Sequence, residues 1–141
     1  MVEMAALMTV LLPLIFGITE YGRAIYQYNA IAKGARDSVR YLSQYAPGDA
    51  VRITEAKCLA VFGKINCNDS DTPLADGLAM SQVKVIDGST DATGYKLQKT
   101  GRGVINLVTV QVNGYVFNSV ISSLIPDIRF GPIGATMVQV L

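Results

Sequence analysis

The segment Glu3-Met-Ala-Ala-Leu-Met-Thr-Val-Leu-Leu-Pro-Leu-Ile-Phe16 decides the fold, because it places one acid before an apolar run. From Met4 to Ile18 no residue is charged, and only Thr9 is clearly polar. As a helix this run spans roughly 22 Å, a little less than the hydrocarbon core of a bilayer, about 30 Å. An unpaired carboxylate is costly to strip of water. Glu3 therefore needs a partner wherever the run lies in an apolar medium.

Pro13 and Gly17 interrupt this run with two residues that weaken a helix. Proline removes a backbone hydrogen bond and clashes with the preceding turn, and glycine adds conformational freedom. We therefore predict a kink or a locally unwound stretch between about residues 9 and 18. The alternative is a simple proline kink in a helix that stays whole.

Beyond the apolar run, the helical pattern continues as one stripe with alternating steps of three and four residues. Pro47-Gly48 ends the pattern, so we predict one helix over about residues 2–46. The chain then divides into an apolar segment, 1–19, and an amphipathic helix with its globular head, 20–141. The stripe consists of Ile18, Tyr21, Ile25, Tyr28, Ala32, Ala35, Val39, Leu42 and Ala46, and the polar face of Glu20, Arg23, Gln27, Lys33, Asp37 and Arg40.

The remaining sequence predicts a second helix followed by strands. Asp49 is a suitable N-cap and Gly63 a suitable stop for that helix. Because the strands follow the helices, we expect an α+β fold with an antiparallel sheet of three or four strands, whose apolar face the stripe covers. Residues 119–125 form either a short helix or a packed loop. The strands are expected at 82–86, around 95–97, at 105–117 and at 135–141.

The composition argues against several classes of function. The 141 residues include no His, which disfavours zinc, haem and Ser-His-Asp chemistry. No carboxylate constellation is apparent, so we expect no catalytic residues, no cofactor and no enzyme. The net charge of +1 gives no basic patch for nucleic acid. Asp69, Asp71 and Asp76 lack the spacing of an EF-hand, so we expect no metal site.

Cys58 and Cys67 are the two cysteines of the chain. Their spacing is not that of a CxxC metal or redox motif. We predict a disulfide between them, formed in an oxidising compartment. The alternative is a pair of buried thiols in a reduced cytosol.

The N-terminal residues resemble the start of TadE-like pilins, which belong to the tight-adherence (Tad or Flp) branch of type IV pilus systems. The resemblance is specific over residues 2–46 and loose afterwards, except at the closing strand. It rests on Val2-Glu3-Met4-Ala5, Leu12-Pro13-Leu14, Phe16-Gly17-Ile18-Thr19-Glu20-Tyr21-Gly22-Arg23, Tyr28-Asn29-Ala30, Ala35-Arg36, Arg40-Tyr41 and Gly134-Ala-Thr-Met-Val138.

This resemblance implies a type IV pilin-like fold, in which the long helix packs against a small head. It implies a leader removed by a prepilin peptidase, storage in the bacterial inner membrane with the head in the periplasm, and delivery by a pilus assembly platform into an adhesive extracellular filament. The filament would contain copies of this chain, other pilins or both, with residues 1–19 in its core. Glu3 would pair with the N-terminal amine of Met1, either that of a neighbouring subunit or its own.

A second interpretation comes from a different class of protein. The chain would be a single-pass, membrane-anchored periplasmic accessory or binding domain that never polymerises. A simple anchor tolerates changes of Glu3 and Pro13 freely, whereas a filament subunit does not.

Overall fold

The α+β arrangement predicted from the sequence is confirmed in a computed structural model, which describes residues 2–68, 70–101, 103–121 and 125–139. One long helix runs through the head and extends beyond it, and a second helix and an antiparallel sheet pack against it. The elements are α1 Val2–Leu42, α2 Ala50–Phe62, a 3₁₀ helix Met80–Gln82, β1 Val83–Ile86, α3 Ala92–Tyr95, β2 Gln98–Thr100, β3 Gly103–Val112, β4 Val116–Phe117, β5 Ile128–Arg129 and β6 Ile133–Gln139.

The C-terminal half of α1 forms the core of the head, but its buried face differs in part from the predicted stripe. Ala35, Val39 and Leu42 are buried as predicted, whereas Ala24 and Ile31 are buried in place of the stripe residues nearer the apolar segment. Apolar residues occupy two neighbouring faces there, so periodicity fits either face. The head packs on the face with the small Ala24, and the bulkier side chains stay outside. The exposed stripe residues are Ile18, Tyr21, Ile25 and Tyr28.

Helix α1 ends at Leu42 rather than at the predicted residue 46. The next residues form tight turns, in which the Tyr45 N–H donates to the Leu42 carbonyl at 3.1 Å. The Gln139 side chain of β6 donates its amide N–H to the carbonyls of Tyr45 and Leu42 at 3.0 and 3.4 Å. A helix end needs partners for its last carbonyls. A side chain from the far end of the chain supplies them, which no local pattern predicts.

Helix α2 begins and ends where the sequence predicts. The Asp49 carboxylate accepts hydrogen bonds from the N–H groups of Val51 and Arg52. Gly63 adopts a left-handed conformation with φ 71° and closes the helix through the Leu59 carbonyl. Both are standard helix caps.

Helices α1 and α2 approach each other closely at Gly34. A Cβ atom at this position would lie 2.5 Å from the Ala60 carbonyl oxygen and 3.0 Å from Leu74 Cδ1. Gly22, on the same helix, has no atom within 4 Å of the corresponding position. Gly34 is therefore required by packing, whereas Gly22 is not.

The substitution Gly34→Ala is expected to lower the free energy of unfolding by about 1–3 kcal/mol, since the added methyl group meets backbone rather than a mobile side chain. Gly22→Ala is the matched control and is expected to stabilise α1 by up to about 1 kcal/mol, because alanine favours a helix. Denaturant unfolding of the full chain in mild detergent, followed by circular dichroism, measures both. Equal effects of the two substitutions would contradict the close approach.

Strand β3 is the centre of the four-stranded sheet. It pairs antiparallel with β6 along Asn106–Val112, with β1 along Thr109–Val112 and with β2 along Gly103–Ile105. Val108, Val110 and Val112 are buried on one face, as their alternation predicts.

The predicted strand 105–117 is interrupted, because Gly114 takes a positive φ of 70°. Its last residues form β4, which pairs with β5 instead. The strand expected around 95–97 lies at β2, and Tyr95 ends the short helix α3. Strand β6 lies two residues earlier than predicted over its described part. Within 119–125, residues 120 and 121 form a turn, whereas 122–124 lie outside the described residues.

The predicted disulfide between Cys58 and Cys67 is confirmed. Cys58 lies in α2 and Cys67 in the following loop, with Cα atoms 5.5 Å apart. Next to the bridge, Lys64 and Asp71 form an ion pair at 2.8 Å. That pair lowers the pKa of the Asp71 carboxyl, with a further hydrogen bond from the Asn68 N–H. The disulfide and the ion pair hold a polar loop against the end of α2.

Asp87 is a carboxylate that is 1% exposed and forms no ion pair among the described residues. One oxygen accepts from the Gly48 N–H at 2.8 Å. The other accepts from the N–H and hydroxyl groups of Ser89 and Thr90. Burial raises the pKa of Asp87, but the hydrogen bonds outweigh it and leave the pKa below its ordinary value. The carboxylate therefore joins the α1–α2 connection to the turn after β1.

Replacing this carboxylate by an amide tests that role. Asp87→Asn is expected to lower the free energy of unfolding by about 1–3 kcal/mol at pH 7, because an amide cannot accept from all five donors. Asp91→Asn is the control, since Asp91 is an exposed N-cap and asparagine caps equally well.

The pH dependence supplies a second measurement. Because the folded pKa of Asp87 is depressed, the stability it contributes is complete above its unfolded pKa, about 3.9. This contribution is lost as the pH falls through the lower folded pKa. Unfolding measured between pH 5 and 2 is therefore expected to show a weaker acid dependence for Asp87→Asn than for the wild type. An unchanged profile would mean that Asp87 does not carry this dependence.

Candidate functional site

The N-terminal part of α1 projects from the head as a bare apolar helix. From Glu3 to Thr19 every residue is exposed except Gly17, which is half-exposed. Leu7 and Val10 are 66% and 70% exposed. Contiguous apolar surface of this kind marks a contact with protein or membrane. By its length and composition the helix is sufficient to cross a membrane.

Glu3 lies in the first turn of α1, where the helix dipole favours a negative charge. None of the ion pairs among the described residues includes it. Met1 lies outside the described residues, so the pairing of Glu3 with an N-terminal amine stays a prediction. The carboxylate stands at the far end of the apolar segment, away from every buried residue of the head.

Pro13 and Gly17 lie within a continuous helix in the isolated chain. The described helix contains no unwound residue there, and the predicted kink or unwinding at Pro13 and Gly17 stays a prediction. Proline has no N–H, so the Thr9 carbonyl loses its usual partner in the helix. In the same turn, the Thr9 hydroxyl donates to the Ala6 carbonyl at 2.7 Å. The helix thus contains a weak point without being broken.

Glu20 lies where the helix enters the head. The sequence predicts it on the polar face of the helix, but it is buried. It is only 6% exposed. Its carboxylate pairs with Arg23 at 2.7 Å and accepts from the Val120 N–H at 3.2 Å. The Arg23 guanidinium in turn lies 5.3 Å from the centre of the buried Phe117 ring. These contacts fasten the loop after β4 to the first turn of the helix inside the head.

Sequence reasoning missed this contact because the loop lies a hundred residues away from Glu20. The one local signal is Arg23, three residues later on the same helix face, where an acid and a base form a pair. Such a pair is equally common on a solvent-exposed surface, so the spacing alone does not indicate burial.

Exposed aromatic rings surround this entry point. Tyr21 and Tyr26 are 65% and 73% exposed. Tyr28 is partly exposed and contacts the edge of Phe130, with ring centres 5.5 Å apart. Phe130 also stacks on Tyr115, whose hydroxyl lies 2.7 Å from the Gln27 side-chain oxygen. Exposed rings and ring contacts with the head therefore occur together on this part of the helix.

The comparisons with known proteins concern this same helix. The family model described as TadE-like protein matches residues 1–40. Over this range the N-terminal helix is similar to that of TadE-like proteins. The match covers the apolar segment together with the entry into the head, and it associates the chain with the Tad pilus. No curated protein and no solved structure matched the chain. The resemblance predicted from the sequence is thus confirmed for this segment.

The other predicted site residues do not gather with the TadE-like helix. Cys58 and Cys67 lie at the end of α2, where they brace the head. Of the three acids weighed as metal ligands, Asp69 lies outside the described residues and Asp71 is paired with Lys64. Within the described ranges, no three His, Cys, Asp or Glu side chains cluster as metal ligands would.

The contact between Glu20 and the loop can be tested by hydrogen exchange. Glu20→Ala is expected to speed exchange of the Val120 N–H by about ten- to a hundredfold, since a hydrogen bond to a charged group contributes about 1.5–3 kcal/mol. Glu20→Gln keeps an acceptor and is expected to have a smaller effect. Asp37→Ala, an exposed acid on the same helix, serves as the control. Unchanged protection of Val120 in Glu20→Ala would show that the bond does not hold the loop.

Proposed function

We propose that this chain is a pilin-like structural subunit of a Tad-type pilus, without enzymatic activity. It is held in the inner membrane by its N-terminal helix, with the head in the periplasm, and is then assembled through that helix into an extracellular adhesive filament. The single observation that carries the proposal is the exposed apolar segment of α1. The TadE-like match over residues 1–40 supports the assignment to the Tad pilus.

The direct join between segment and head favours a filament subunit over a simple anchor. Helix α1 runs without interruption from the apolar segment into the core, where Ile31, Ala35 and Val39 are fully buried. No flexible linker separates the two parts. Side-by-side packing of the apolar segments would therefore fix the position of every head.

Glu3 supplies the recognition step in this proposal. In a membrane or filament core, a carboxylate and an ammonium group attract each other far more strongly than in water. The amine of a neighbouring Met1 is a suitable partner. A subunit in the wrong register leaves Glu3 buried and unpaired, at a cost of several kcal/mol. Glu3 thus selects the register more than it adds affinity.

Pro13 and Gly17 allow the same helix to adapt on assembly. The missing N–H of Pro13 leaves a carbonyl without its helical partner, and Gly17 has no Cβ to restrain the backbone. A stretch that is helical in the single chain can then extend when neighbouring helices pack around it. The unwound segment expected from the sequence belongs to that assembled state.

The compartment and the partners follow from the same proposal. The Cys58–Cys67 disulfide suits the oxidising periplasm. The partners are a prepilin peptidase, the pilus assembly platform and, in the filament, copies of this chain, other pilins or both.

Replacing Glu3 tests the proposed assembly step. Glu3→Ala is expected to leave the amount of chain in the inner membrane unchanged and to reduce its amount in sheared filaments at least tenfold, since each partner amine is left unpaired. Glu3→Asp keeps the charge and is expected to retain part of the incorporation. Quantitative mass spectrometry of the two fractions measures both.

Two results would contradict the proposal at different points. Wild-type incorporation of Glu3→Ala would show that Glu3 has no role in assembly. Filaments that lack even the wild-type chain would instead support the non-polymerising membrane-anchored domain.

A further inference from the structure

The loop after β4 presents an apolar side chain to solvent, close to Glu20, where α1 enters the head. Val120 is 75% exposed, and Ile121 next to it is partly exposed. The Val120 N–H donates to Glu20, which directly follows the apolar segment 1–19. Exposed apolar surface on this loop therefore adjoins the end of the apolar helix.

The length of the apolar run determines what this loop meets. From Met4 to Thr19 the helix is about 24 Å long, at 1.5 Å per residue. The hydrocarbon core of a bilayer is about 30 Å thick. A short span either thins the bilayer or draws its flanking residues towards the interface. Because the head follows without a linker, the flanking groups include its loop.

The side chains at this level suit a membrane interface. Glu20 is neutralised by Arg23, so no unpaired acid is carried towards the lipid. Tyr21 is 65% exposed, and tyrosine favours the boundary between lipid and water. The partly exposed Arg23 side chain lets its cationic end remain at the level of the phosphates.

We propose that, before assembly, Val120 and Ile121 rest in the interfacial layer of the bilayer surface and dock the head on the lipid. This inference rests on the membrane-held state described above. The docked loop fixes the depth and the tilt of the head relative to the membrane. Extraction of the subunit into a filament then releases this contact as well as the helix.

The chain contains no Trp, so a single introduced tryptophan reports on its surroundings without interference. The full chain carrying Val120→Trp is reconstituted into phosphatidylcholine vesicles in which part of the lipid is brominated near the head-group end of the acyl chains. Val51→Trp is the matched control, because Val51 is 64% exposed and lies on α2, beside the far end of α1. Circular dichroism checks that both variants fold.

We expect Val120→Trp to emit at shorter wavelength than Val51→Trp and to be quenched at least twofold more strongly by the brominated lipid. Equal quenching of the two variants would overturn the proposal. A short emission wavelength without quenching would also overturn it, since the ring would then be covered by protein, such as a second copy of the chain.

A third tryptophan variant distinguishes a failure of the loop contact from a failure of the proposed membrane-held state. Leu11→Trp lies in the middle of the apolar segment. Quenching of Leu11→Trp by lipid brominated deep in the acyl chains, without quenching of Val120→Trp, would overturn the loop contact alone. Absence of quenching in both would overturn the membrane-held state and the loop contact with it.

Discussion

The structure depends on one constraint: helix α1 must satisfy two different environments on a single rigid element. The helix has 41 residues. Its N-terminal part exposes apolar side chains, and its C-terminal part has a face that is buried under the sheet. In the single chain α1 is continuous between the two parts, so a rotation or a shift of one part is transmitted to the other. Every other feature of the head, from the Gly34 contact to the Gln139 cap, fixes how the sheet and α2 sit on this element.

Three acids along the chain illustrate how differently a carboxylate can be accommodated. Asp87 is buried and accepts hydrogen bonds from five donors, without a cation. Glu20 is buried beside Arg23 and accepts one loop N–H. Glu3 is exposed and has no ion pair among the described residues. The head thus satisfies its buried acids Glu20 and Asp87 internally, whereas Glu3 stands on the segment that itself lacks a cover.

The sequence predicts those parts of the fold whose causes are local. The caps Asp49 and Gly63 act on adjacent backbone, and the alternation of Val108, Val110 and Val112 reflects one sheet face. The disulfide joins the two cysteines of the chain, which lie nine residues apart. Each of these signals lies within about ten residues of the structure it specifies.

The features that were predicted wrongly are those decided by distant partners. Glu20 is buried where the loop after β4, far along the chain, contacts it, and Ala24 is buried in the core. The helical period fits the neighbouring face equally well. Gln139 donates to carbonyls at the end of α1, and Gly114, with its positive φ, marks the break in the long strand. The candidate site divides in the same way. The sequence predicts its apolar character and its acid, but it does not predict that the loop after β4 contacts the helix at Glu20.

Continuity between the apolar segment and the head also explains why register matters in an assembly of such helices. A shift of one residue moves a helix by about 1.5 Å and turns its contact face by about 100°. A head joined by a flexible linker would not change its orientation in response to that shift. Here the core residues Ile31, Ala35 and Val39 are on the same helix, so the whole head would turn with it. In the proposed assembly, a charged pair at Glu3 would distinguish one register from the next and would thereby orient the surface that the head presents.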